Sequence, residues 1–141
     1  MKWKKLGKIF SPSDYKLANN CVEYAQSPQA LVFNDFVRIY FSTRERDLTG
    51  KYLSHVSFID MSNDFKKIIN IATNTVIELG ALGCFDEHGI FPFNVLRDKG
   101  RILAYTTGWI RRVSVSVDSG IGLAISKDNG LTSQKIGQGP I

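Results

Sequence analysis

Three adjacent residues, Asp86, Glu87 and His88, bring two carboxyl groups and an imidazole into one segment bracketed by Gly83 and Gly89. Carboxyl groups donate and accept protons and an imidazole titrates near neutrality, so this is the chain's first candidate for general acid–base work. Acidic residues are equally ordinary in solvated turns, and a lone loop histidine is often structural, so both readings stand here. Two further groups, Arg44 with Arg46 and Asp47, and Trp109 with Arg111 and Arg112, follow strand-like runs. Guanidinium forks and aromatic faces suit anionic and ring-shaped ligands, while the plainer reading is a surface loop with internal ion pairs. His55 sits within an apolar run and reads as an interior residue with its hydrogen bonds satisfied. No phosphate-cradling glycine loop, metal-ligand spacing or Gly-x-Ser-x-Gly elbow occurs, so neither a cofactor nor a metal is expected.

The elements that must position these residues repeat. SPQALVFNDFVRIYFSTR, Ser27 to Arg44, lies without a gap over FPFNVLRDKGRILAYTTG, Phe91 to Gly108, at an offset of 64 residues. Pro28 falls on Pro92, Leu31 on Val95, Ile39 on Leu103, Phe41 on Tyr105 and Thr43 on Thr107. Each copy predicts a hairpin, turning at Asn34 and Asp35 in the first and at Arg97 to Gly100 in the second. Third strands are expected at Leu53 to Asp60 and Ile121 to Asp128. Fourth strands are expected at Asp64 to Ile71, where Phe65, Ile68 and Ile69 also suit a helical turn, and at Leu131 to Ile136, after the turn residues Asp128, Asn129 and Gly130. The runs are short, β-branched and aromatic, which favours strands over helices.

Two four-stranded copies in tandem describe blades of a β-propeller, and two blades cannot close a ring. The expected organisation is one partial propeller domain, with a lead segment at 1–20, blade one at 21–78 and blade two at 79–141. The loop-like run from Gly137 to Ile141 fits a fragment of a longer chain. A complete small β-sandwich built from the same strands is the alternative, and its edges would need protection.

Composition is that of a folded globular protein, with 43% hydrophobic and 22% charged residues in a chain of 141. No apolar run reaches membrane-spanning length and no apolar core follows the N-terminal lysines, so no membrane partner is expected. The net charge of +5 is spread thinly apart from the four lysines among the first eight residues, which argues against nucleic acid. Cys21 and Cys84 are too few for a disulfide framework, and a cytoplasmic location with structural, free thiols is expected.

The segments SPQALVFNDFVRIYFSTRERD, GCFDEHGIFPFNVL, RILAYTTGW and GIGLAISKDNGLT resemble the five-bladed β-propellers of glycoside hydrolase families 32, 43, 68 and 130 and their uncharacterised kin in polysaccharide biosynthesis. The resemblance implies an all-β, five-bladed propeller type of which this chain supplies about two four-stranded blades. It also implies that residues just ahead of each innermost strand face the substrate pocket, which makes Asp86 and Glu87 the catalytic candidates. Glu23, which stands 64 positions before Glu87, joins Arg44, Arg46, His88, Trp109 and Arg111 as substrate-binding candidates. Ser27 and Pro28 stand where the resemblance expects an Asp–Pro pair, and an acidic proton donor would lie beyond residue 141. The implied activity is therefore hydrolysis or transfer of glycosidic bonds by a longer parent, with this chain inactive alone. The alternative is a non-catalytic carbohydrate-binding or scaffolding propeller. The expected partner is a saccharide, including an anionic one, and uncovered blade faces are expected to drive self-association.

Overall fold

The computed structural model describes residues 2–141. After two single 3-10 turns, Pro12–Asp14 and Ala18–Asn20, the chain forms β1 (Glu23–Val32), β2 (Val37–Arg46), β3 (Tyr52–Met61), β4 (Ile68–Ile71), β5 (Gly89–Asp98), β6 (Arg101–Ile110), β7 (Asp118–Ser126) and β8 (Gln134–Lys135). Each repeat is an antiparallel meander, β1 to β4 and β5 to β8. The first two strands of each repeat, and the third strands within two or three residues, follow the β-branched and aromatic runs. The fourth strands shrink to four and two residues. Before β4, the Asp64 carboxylate accepts from Ser62 Oγ and Lys66 N, and the resulting turn takes up the residues expected to begin the strand.

The propeller expectation is corrected here, both as a fold class and as a description of two blades. A parallel bridge between Ser54 and Gly89 joins β3 to β5, so the strands run as one open, mixed eight-stranded sheet in the order β1-β2-β3-β5-β6-β7-β8, with β4 beside β3. The two repeats also share a single core, in which Leu31, Tyr40 and Phe58 of the first pack with Ile90, Phe93 and Ile102 of the second. Separate four-stranded blades set around an axis would not share a hydrogen-bonded ladder. The cytoplasmic expectation gains no support from the fold either. Among the described residues no helix is long and apolar enough to cross a membrane, and Cys21 and Cys84 are unpaired. Neither fact assigns a compartment.

The repeat is real, but its register differs by one residue from the gapless sequence match. In the first repeat Arg38 faces Leu31 and Asp60 across the ladders, and Tyr40 faces Phe58. In the second, Leu103 faces Leu96 and Ile125, and Tyr105 faces Leu123. These pairs superpose at the step from Tyr40 to Tyr105, which is 105 − 40 = 65 residues. A one-residue slip exchanges the two faces of a strand, so matching Phe41 to Tyr105 assigns each side chain to the wrong face. Pro28 and Pro92 mislead because both lie where the β1–β2 and β5–β6 ladders break register.

Two contacts lock the repeats together. Arg38, 3% exposed, holds Asp60 through Nε–Oδ1 at 2.7 Å and Nη2–Oδ2 at 2.8 Å, and its Nη1 donates to Asn129 O at 2.9 Å. Tyr40 donates to Gly130 O at 2.8 Å, and burial pushes its hydroxyl up to about 12. The turn they hold is closed by Asp128, which accepts from Ser126 Oγ and from Thr132 N and Oγ1.

The other face of the first repeat is covered by the N-terminal segment. Phe10, Leu17 and Cys21 pack on Phe41, Ile59 and Met61, and burial pushes the Cys21 thiol up to about 12, as suits a packing residue. His55 ties this segment down: its Nε2 donates to Glu45 Oε2 at 2.8 Å and its Nδ1 accepts from Asn19 Nδ2 at 3.1 Å. Only the neutral ring satisfies both partners, because a proton on Nδ1 would point at the Asn19 amide donor. Burial accordingly lowers the His55 pKa below its ordinary 6.5, although Glu45 pulls the other way. Since the unfolded chain takes up this proton more readily, stability should fall as pH drops below about 6.5, and His55→Gln should flatten that slope in urea titrations.

Candidate functional site

The strand directions bring one end of the sheet together from both repeats. The starts of β1, β3, β5 and β7 and the ends of β2 and β6 all lie there, because β3 and β5 run parallel and their neighbours antiparallel. Glu23, Arg44, Arg46, His88, Trp109 and Arg111 are therefore gathered at that end, with the Asp86–Glu87 segment leading into β5.

Tyr52, opening β3, is the centre of the arrangement and was missed by the sequence reading. Glu23 Oε2 accepts from Tyr52 Oη at 2.6 Å, while Glu23 Oε1 lies 3.3 Å from Arg46 Nη2. Arg46 also donates to the Tyr52 hydroxyl and stacks over its ring, 4.2 Å from guanidinium carbon to centroid. The bond to the Glu23 carboxylate pushes the Tyr52 hydroxyl up to about 12. From the second repeat, Arg111 reaches the same residue, with Nη2 on Tyr52 O at 2.5 Å and Nη1 on Asp47 Oδ2 at 3.1 Å. Asp47 is held well below the ordinary carboxylate range, chiefly by Thr49 Oγ1, with the Lys51 and Thr49 amides and Arg111 adding to it. Arg46 and Arg111 stand 111 − 46 = 65 positions apart, so the ladder-matched pair of arginines converges on one tyrosine.

Around this centre the side chains are accessible. Tyr24 is half exposed at 50%, with its ring edge-on to Tyr52 at 6.0 Å between centroids. Arg44 lies over the Phe91 ring at 5.0 Å and donates to Gln26 Oε1 at 2.6 Å, and burial lowers its pKa. Arg46 and Tyr52 bound the β2–β3 loop and Tyr24 adjoins Glu23 in the chain, but nothing in the spacing identifies either tyrosine as a site residue.

The Asp86–His88 segment behaves differently from residue to residue. Asp86 is completely buried, and its Oδ2 accepts from Lys135 Nζ of β8 at 2.7 Å. Its Oδ1 has no hydrogen-bond partner and rests against Gly80, where a β-carbon would come within 2.3 Å. The neighbouring Phe85 ring lies on Gly108 and Gly122, whose β-carbons would approach it to 2.6 and 2.5 Å. This segment is thus seated on a glycine-paved strip, with Asp86 as a buried anchor. Glu87 folds back on its own loop, accepting from Gly83 N at 2.7 Å, with Oε1 3.7 Å from His88 Nε2. His88 accepts from Arg111 N at 3.4 Å and packs beside Trp109, whose Nε1 donates to Ser54 Oγ at 2.9 Å. Gly89 is required between them, because a β-carbon would stand 2.3 Å from Trp109 Nε1.

Glu23 and Glu87 are not equivalent in the ladders. Glu23 pairs with Arg44, whereas the residue paired with Trp109 is Gly89. A cavity of about 600 Å3 adjoins Phe85, lined also by Cys84, Ile110, Arg112 and Asp118. Among the described residues no cluster of three or more His, Cys, Asp and Glu could hold a metal ion.

No family model matches the chain. Two uncharacterized proteins of Mycobacterium tuberculosis, MT1551 of strain CDC 1551 and Rv1502 of strain H37Rv, are each 32% identical over 132 residues, covering 90% of this chain and 41% of theirs. The chain thus spans about two fifths of the length of these relatives. A family 117 glycoside hydrolase of the marine bacterium Zobellia galactanivorans shares the fold with a TM-score of 0.60 and 22% identity, over 77% of this chain and 30% of that one. A candidate glycoside hydrolase of Parabacteroides distasonis gives a TM-score of 0.70 at 13% identity, over 98% of this chain and 41% of that one. The likeness is one of strand arrangement alone, and the expected membership of the five-bladed propeller hydrolases is corrected by this chain's own sheet, which runs open and continuous from β1 to β8.

Proposed function

We propose that the end of the sheet centred on Tyr52 binds a saccharide, and that the chain is the binding part of a carbohydrate-active protein. The observation that supports this reading is the convergence of Arg46 and Arg111 on Tyr52 beside the half-exposed Tyr24. An aromatic face suits the apolar side of a sugar ring, and fixed carboxylate and guanidinium groups suit its hydroxyls or a carboxylate substituent. Fold likeness to two glycoside hydrolase structures points to the same ligand class.

Binding is favoured over turnover for this chain. Glycoside cleavage uses two carboxyl groups that reach the same bond. Asp86 is buried against Lys135, both oxygens of Glu23 are engaged by Tyr52 and Arg46, and Glu87 is tied to Gly83 N, so no two of the three are free to reach one bond. Hydrolysis or transfer belongs, on this reading, to longer relatives.

Titration calorimetry against neutral and uronate-containing oligosaccharides tests the proposal. At least one class should bind, and Tyr24→Ala and Arg46→Ala should each weaken it about tenfold, the equivalent of about 1.4 kcal/mol. The reading fails if no saccharide binds, or if binding ignores both substitutions. Release of reducing sugar by the chain itself would overturn the preference for binding.

A further inference from the structure

We propose that Arg44 is the subsite that reads the acidic group of the ligand, and that the saccharide bound at this end of the sheet carries a carboxylate. The inference rests on the saccharide reading above and adds the charge of the ligand to it. In the β1–β2 ladder Glu23 stands directly opposite Arg44, the position from which a carboxylate would ordinarily neutralise it. Glu23 is committed elsewhere: its Oε2 accepts from Tyr52 Oη at 2.6 Å and its Oε1 pairs with Arg46 at 3.3 Å. Arg111 is matched by Asp47 and Arg112 by Asp118. Among the described residues Arg44 alone of these four arginines has no carboxylate partner. The imbalance is set by the placement of Glu23 and Tyr52, and no uncovered sheet face enters into it.

The guanidinium is also held in place by neutral groups. It lies over the Phe91 ring at 5.0 Å, while Nη2 donates to Gln26 Oε1 at 2.6 Å and Nη1 to Thr43 O at 3.3 Å. Two of its five N–H donors are thereby used and its charge is left uncompensated. Burial already lowers its pKa, so part of the desolvation cost of an ion pair is borne by the fold before a ligand arrives. Gln26 owes its place to backbone that residues other than glycine rarely adopt: Tyr24 and Ser27 have φ of 65° and 48°, and the ladder slips on both sides of Gln26. Such strain persists only where the surroundings fix it, and irregularities of this kind re-aim side chains. Here the distortion brings the Gln26 amide to Arg44 and leaves Tyr24 at 50% exposure beside it. One unmatched positive charge suits a singly charged carboxylate better than a phosphate monoester, whose charge is about −1.5 to −2.

Calorimetry of the full chain with uronate oligosaccharides, and with the same oligosaccharides after reduction of their carboxyl groups to alcohols, tests this. The acidic forms should bind about tenfold more tightly, an advantage that shrinks as salt is raised. Arg44→Gln should bind both forms alike. Arg44→Lys, which keeps the charge without the planar fork, should recover part of the preference, and it serves if the glutamine variant does not fold. Free glucuronate should compete better than glucose 6-phosphate. Reduced forms that bind as well as the acidic ones, with binding still weakened by Tyr24→Ala, would remove the Arg44 subsite and leave the saccharide reading standing. A preference that survives Arg44→Gln, or stronger competition by glucose 6-phosphate, overturns it equally. If no oligosaccharide binds, acetate followed through the arginine Nε signals by nuclear magnetic resonance separates the two ideas. Movement of the Arg44 signal at lower acetate concentration than those of Arg46 and Arg111 supports the anion subsite without the saccharide, and equal movement overturns it.

Discussion

Replacing Arg38 with methionine should cost about 3–5 kcal/mol of unfolding free energy, the usual penalty for stranding one member of a buried ion pair. Both partners are shielded, at 3 and 4% exposure, so the Asp60 carboxylate would keep little beyond a long contact from Asn70 at 3.4 Å. The substitution also removes the donor to Asn129, which fastens the turn after β7 to the first repeat. A small domain has roughly 5–15 kcal/mol in hand, so this one change should lower the thermal midpoint by about 10 °C or more. Because the cost is that of an unpaired charge, Arg38→Met with Asp60→Leu should recover most of it, as read by urea unfolding of the single and double variants. Equal loss in both would show that packing on Phe58, and not the charge, carries the effect.

Lys135→Met should be the next most damaging change, at about 3 kcal/mol, since it leaves Asp86 buried with no cation. Lys135 is itself partly exposed, which places the expectation at the lower end. The consequence should be local as well: β8 is two residues long, and this ion pair fastens it to the segment that carries Glu87 and His88. Limited proteolysis should therefore cut faster between residues 79 and 88 in the variant. Adding Asp86→Asn should return more than half of the lost stability, and coupling near zero in that double-mutant cycle would remove Asp86 from the role of anchor.

Much of the strand content was legible because the runs are rich in β-branched and aromatic residues between turn formers, as in Val37 to Phe41. The joining of the repeats was not. It depends on one bridge, Ser54 to Gly89, made possible by a missing side chain at Gly89, and a lone glycine has many explanations in a sequence. The one-residue error in the repeat arose from prolines at irregular ladder positions, which outweighed the better match of Tyr40 to Tyr105. At the site, residue types were informative for Arg46 and Arg111, whose recurrence after both hairpins corresponds to a shared partner. They were uninformative for Asp86, because an acidic residue near glycines looks the same whether it meets solvent or a lysine 49 positions away.

The N-terminal strap gives the molecule one finished side and one unfinished side. If Phe10 and Leu17 left their seat, the apolar face of Phe41, Ile59 and Met61 would open in addition to the exposed Leu96, Tyr105 and Ile121, and two unlike apolar surfaces on one chain let association propagate into filaments. With the strap fastened through Asn19 and His55, that face stays closed. Acid that protonates His55 would then loosen the very element that keeps assembly finite.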